Sequence, residues 1–141
     1  MRRKIYDKLL EWKRTDAGRS AILIDGARRV GKSYVAEEFG RKEYESYVLI
    51  DFSRVGKDVK DLFRNYLEKK LLPTFFLKLS EHFGVRLFVR KTLFIFDEVQ
   101  EFPRAREAIK ALVEDGRYDY LETGSLVSID ENVEGIVTPS E

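Results

Sequence analysis

Apolar residues gather in four short runs, at residues 21–24, 47–52, 93–96 and 118–125, and between the runs they recur at every third or fourth position. Runs of this length, rich in β-branched and aromatic side chains, predict strands, whereas the intervening spacing predicts amphipathic helices. Residues 3–14 place Ile5, Leu9 and Trp12 on one stripe, flanked by Tyr6 and Leu10. Residues 33–39 put Val35, Ala36 and Phe39 on a buried side, with Gly40 as the stop. A longer helical pattern covers residues 58–82, through Val59, Leu62, Phe63, Tyr66 and Leu67 and then Leu72, Phe75, Phe76 and Leu79, and Pro73 is expected to kink or split it. Phe75 and Phe76 are expected in the core, and His82, with no companion ligand or nucleophile, at the surface or a helix end. A last helix is predicted over residues 104–114, with Pro103 near its start and Asp115-Gly116 closing it. Strands alternating with helices predict an α/β fold with a parallel sheet. Residues 126–141 read as loop with at most one short strand.

The junction after the first run carries the strongest chemical signal. Gly26, Gly31, Lys32 and Ser33 match G-x-x-x-x-G-K-[ST], with a strand before and a helix after, as a P-loop requires. Glycines at the loop ends let the backbone curl around an anion, so that successive N–H groups meet a polyphosphate and the helix dipole adds to the attraction. The nucleotide-binding segment is therefore expected at Gly26, Ala27, Arg28, Arg29, Val30, Gly31, Lys32, Ser33 and Tyr34. In this reading Lys32 reaches the β- and γ-phosphates, and the Ser33 hydroxyl ligates Mg²⁺.

A second signal lies at the third run, where Leu93-Phe94-Ile95-Phe96 ends in Asp97-Glu98. Open α/β sheets bind ligands at the carboxyl ends of their strands, and an acidic pair at that place reads as a Walker B element. Asp97 is expected to hold Mg²⁺, and Glu98 to orient and polarise the attacking water. The fourth run ends in Thr123-Gly124-Ser125. Either hydroxyl can serve there as a sensor of the γ-phosphate or the water.

Composition narrows the partners. Of 141 residues 43% are hydrophobic, which suits a single globular domain. Charged side chains are abundant at 36%, yet 26 basic residues face 25 acidic ones, so no wholesale attraction to duplex nucleic acid or an anionic membrane follows. Arg2, Arg3, Lys4, Lys8, Lys13, Arg14 and Arg19 do cluster near the start; they read as a solvated helix face, with a nucleic-acid or partner-binding arm as the alternative. The absence of cysteine excludes disulfides, thiol catalysis and thiolate metal sites. No run is long enough to span a bilayer, and a cytoplasmic location is expected.

With GARRVGKS at 26–33, LFIFDEVQ at 93–100, FPRAREAIKAL at 102–112 and ETGS at 122–125, the sequence resembles the AAA+ ATPases. Within them it is similar to a prokaryotic branch in which an N-terminal AAA-type core precedes a C-terminal domain of unknown function. The resemblance implies a three-layer α/β/α P-loop NTPase core whose strand order is P-loop strand, sensor strand, Walker B strand, outer strand. It implies ATP and Mg²⁺ as ligands, Lys32, Glu98 and Thr123 in catalysis, and Ser33 and Asp97 on the metal. The expected organisation is an N-terminal helix at 1–15, the nucleotide-binding sheet and helices at 20–125, and a loop or shortened continuation at 126–141. Family members continue into a further strand, a lid and γ-phosphate-contacting arginines, so a truncated core is expected. A protein partner or homo-oligomer is a further expectation. A small-molecule kinase is disfavoured by Glu98 and a GTPase by the lack of a guanine-reading segment. A nucleotide-binding switch without turnover stays open.

Overall fold

The structure, a computed structural model, describes residues 2–25 and 30–125, and for Arg2, Arg3, Val30, Gly31 and Lys32 the backbone alone. The elements run α1 (Arg2–Asp16), β1 (Ile22–Asp25), α2 (Val30–Glu43), β2 (Ser46–Asp51), α3 (Lys57–Asn65), α4 (Leu72–Phe83), β3 (Thr92–Asp97), α5 (Pro103–Asp115) and β4 (Asp119–Gly124). Short 3-10 turns at Lys69–Leu71 and Val99–Glu101 precede α4 and α5.

All four strands are parallel, in the order β1-β4-β3-β2. That is the order expected, with the last strand inserted between the first and third. Every residue of β3 and β4 is buried, as a strand covered on both faces requires. Alternation along β1 divides the core. Ile22 and Ile24 pack with Leu9 and Trp12 of α1 and Val35, Ala36 and Phe39 of α2, while Leu23 joins the opposite layer formed by α3, α4 and α5.

That opposite layer is a cluster of aromatic rings. Phe63 meets Phe52, Phe75, Phe96 and Phe102 edge-on, with centroids 5.1–6.2 Å away. Burying each such side chain contributes roughly 1.5–3 kcal/mol, so this cluster is a main source of adhesion between helices and sheet. Phe75 and Phe76 are 0% and 3% exposed, in the core as expected.

Two boundaries differ from the sequence reading in an instructive way. The 58–82 stretch divides into α3 and α4, with Pro73 in the first turn of α4, where its missing N–H costs nothing. Gly40, by contrast, does not stop α2, which continues to Glu43. A Cβ at Gly40 would lie 2.9 Å from Tyr47 Cβ and 3.4 Å from Leu93 Cδ2, so this glycine is the gap through which the helix packs on the sheet.

At the amino ends of the strands, a polar staple ties three segments together. Asp119 accepts a 2.6 Å bond from Tyr44 Oη and pairs with Arg90, whose guanidinium also donates to Gly116 O. His82 sits in the last turn of α4, half-exposed, 3.5 Å from Asp58. The stretch at 126–141 lies outside the described residues.

Candidate functional site

The carboxyl ends of the parallel strands form one edge, where the chemistry-bearing residues predicted from sequence meet. β2 and β3 pair in register up to Asp51 and Asp97, and β1 and β4 pair up to Asp25 and Gly124. Ser33, in the first turn of α2, reaches this edge. Its Oγ donates to Asp97, 2.9 Å from Oδ1 and 3.0 Å from Oδ2. The amino end of α2 therefore lies beside the Asp97 carboxylate, and the unpaired N–H groups of that end favour an anion nearby.

Asp97 is 5% exposed and takes a second hydroxyl, since Thr123 Oγ1 also donates to Oδ1. Thr123 in turn accepts from the backbone N–H of Glu98 at 3.1 Å, so one buried hydroxyl links β4 to both acidic residues. Of the two hydroxyls left open by the sequence, Thr123 is the one bonded to Asp97; Ser125 lies just past β4 and is half-buried. Burial pushes the Asp97 carboxyl above the usual range, the Thr123 and Ser33 bonds pull it down, and the negative charges of Asp51 and Glu98 push it up again. The net direction is up, with burial as the largest cause.

This donor set suits Mg²⁺. A hydroxyl and a carboxylate are hard oxygen ligands, and Mg²⁺ is commonly held by one or two protein oxygens with phosphate and water completing its shell. Among the described residues no cluster of three or more His, Asp or Glu side chains is assembled into a cage.

Glu98 has a left-handed backbone, φ 54° and ψ 48°, rare for a residue with a Cβ. Its N–H is held by Thr123, and its Oε1 accepts a 2.8 Å bond from Gln100 Nε2 in the following turn. The turn is closed by Glu101 N–H bonding to Glu98 O, with Val99 buried as its anchor.

Of the segment expected to bind nucleotide, Gly26, Ala27, Arg28 and Arg29 lie outside the described residues, as do the side chains of Val30 and Lys32. The backbone of Val30, Gly31 and Lys32 is helical. Tyr34 is half-exposed.

Three features near this edge and in the core behind it were not anticipated from sequence. Asp51 stands level with Asp97, a pairing foreshadowed by two apolar runs that both end in Asp. Gln100 belongs to the LFIFDEVQ segment that carried the resemblance, but no role for its side chain was read from it. Glu122 is wholly buried on the opposite face of β4 from Thr123, 3.4 Å from Arg106 of α5, and among the described residues neither carboxylate oxygen nor any guanidinium nitrogen has a hydrogen bond. Burial raises its carboxyl to about 7 although Arg106 pulls it down. An acid on the core-facing parity of a strand, two places after Tyr120, was the available clue.

A match to the AAA domain family covers residues 18–134. No curated protein matches. Among solved structures, that of C. elegans PCH-2 is similar at 15% identity with a TM-score of 0.43, over 95% of this chain and 38% of that one. The chain thus spans about two-fifths of that protein's length. Among the described residues no helix is long and apolar enough to cross a membrane.

Proposed function

The chain belongs to the AAA domain family, and on that premise we propose that it binds ATP with Mg²⁺ and hydrolyses it to ADP and phosphate. It is a nucleotide-binding, ATPase-type domain; the hydrolytic step and the metal are the proposal. The observation that carries it is the contact of Ser33 Oγ with both Asp97 oxygens, which unites the helix after the glycine loop with the acidic end of β3.

In this reading the backbone of residues 26–34 cradles the phosphates, Lys32 neutralises the β- and γ-phosphates, and Tyr34 borders the nucleotide. Ser33 and Asp97 would hold Mg²⁺, which supplies charge neutralisation of the phosphate oxygens. Glu98 orients a water and takes its proton as the water oxygen bonds to the γ-phosphorus; the bond from that phosphorus to the bridging oxygen breaks, and ADP leaves with the electron pair. Thr123 keeps the Glu98 backbone and the Asp97 carboxylate in fixed relation. Assembly with a protein partner or further copies of the chain is part of the proposal. The basic N-terminal helix as a nucleic-acid contact is the weaker possibility, because 26 basic residues are balanced by 25 acidic ones.

The test is calorimetric titration with ATP, ADP and GTP, with and without Mg²⁺, joined to steady-state phosphate release. Lys32→Ala is expected to abolish nucleotide binding, and Glu98→Gln to keep binding while stopping turnover. Equal turnover by parent and Glu98→Gln sinks the catalytic assignment and leaves a nucleotide-binding switch.

A further inference from the structure

Glu98 is gripped twice: Thr123 Oγ1 accepts from its backbone N–H at 3.1 Å, and Gln100 Nε2 donates to its Oε1 at 2.8 Å. The second grip is the unexplained one. Gln100 Oε1 is buried and has no partner among the described residues. Leaving a buried acceptor unmet is unfavourable, and a methionine would fill the same space without it. Packing therefore gives no reason for an amide at this position. The bond to Glu98 does, and its direction is chemically forced, since an ionised carboxylate only accepts and the nitrogen end of the amide must face it.

A free glutamate side chain samples several rotamers, and a general base works only in those that place an oxygen against the water. With Oε1 engaged by Gln100, the carboxylate is fixed by one oxygen and presents Oε2, which receives no hydrogen bond among the described residues. The left-handed backbone at Glu98 and the buried Val99 anchor hold the turn from which Gln100 reaches back. We propose that Gln100 is a positioning residue for hydrolysis, clamping the Glu98 carboxylate by Oε1 so that Oε2 meets the attacking water. This inference rests on the proposed ATP hydrolysis and assigns the residue that orients its general base.

Gln100→Met, which keeps volume and removes the amide, tests it in phosphate-release kinetics on the full chain. Expected are a kcat roughly tenfold lower, a fraction of what a general base supplies, with KM and the Kd for a non-hydrolysable ATP analogue within about twofold of the parent. On whatever residual turnover a Glu98→Gln background retains, Gln100→Met should have no further effect. A parental kcat in Gln100→Met, a loss carried by KM, or equal losses in both backgrounds overturns the clamp. If Gln100→Met does not fold, Gln100→Asn retains the amide on a side chain one methylene shorter and is judged by the same criteria. Absence of turnover in the parent chain with ATP bound overturns the hydrolytic reading itself, and is told apart from failure of the clamp because there the parent turns over and the variant matches it.

Discussion

Ser33 and Asp97, 64 positions apart in sequence, are in direct contact, with the serine Oγ 2.9 Å and 3.0 Å from the two aspartate oxygens. One end of the contact follows a glycine loop on a helix amino end and the other closes a buried strand, so a divalent cation bound there would be held by two separate layers of the fold.

Asp97→Asn follows from the charge balance of that contact. The folded-state carboxyl is raised above its ordinary 3.8, so the native protein holds a proton more tightly than the unfolded chain. The contribution of this group to stability is then fully present at low pH and declines as pH rises through and above that ordinary value. Without metal at pH 7, Asp97→Asn should melt at a higher temperature than the parent. It should also lose the extra stabilisation that Mg-ATP gives the parent. A thermal melt that falls in the absence of ligand contradicts the burial argument.

Thr123 is expected to separate binding from turnover. Thr123→Val keeps the shape but leaves the Glu98 N–H without its acceptor and Asp97 with Ser33 as its remaining hydroxyl donor, at a cost of about 1–3 kcal/mol. Phosphate release should fall well beyond any loss of ATP affinity, and Thr123→Ser should recover most of both. Urea melts and phosphate release measure the two effects on the same samples.

The Arg106–Glu122 pair predicts a pH-dependent stability distinct from that of Asp97. Glu122 titrates at about 7 in the fold against an ordinary value of 4.5, so stability is fully present below the lower value and is lost as pH rises between them, by on the order of 3 kcal/mol at most. Glu122→Gln should remove this slope. Arg106→Met should destabilise more at pH 8, where a buried carboxylate loses its counter-ion, than at pH 5, where it is protonated. The double change Arg106→Met with Glu122→Leu should return to the parent's stability at pH 8 or exceed it. Urea unfolding at both pH values reads each of these.

Gly40→Ala sets two rules against each other. In an open helix the change would gain up to about 1 kcal/mol of propensity. Here the new methyl would meet Tyr47 Cβ at 2.9 Å, and that atom is fixed to the β2 backbone. The variant should be less stable by about 1–3 kcal/mol, as overpacked cores are, with the loss visible in urea midpoint.

The contrast between Gly40 and Pro73 shows which parts of the fold were legible beforehand. Proline acts through its own ring and missing N–H, so the division between α3 and α4 could be foreseen from one residue. A glycine in a helix is either a stop or a point of close packing, and only the position of Tyr47 across the interface decides. The strand order was legible through the resemblance, because Ser33, Asp97 and Thr123 converge only when β4 lies between β1 and β3. Gln100 and Arg106 were not, since their partners depend on a tight turn and a helix rotation that no periodicity records. The placement of Lys32's side chain and of residues 26–29 lies outside the described residues.

The left-handed backbone at Glu98 sets heat resistance and chemistry at odds in a single codon. Glycine is the residue most at ease at that φ and ψ, so a variant library sorted on thermal survival alone will drift toward Glu98→Gly, accumulating sturdier proteins that have lost the proposed base. Sorting on turnover at elevated temperature will instead preserve the glutamate and gather its gains at sites remote from this turn.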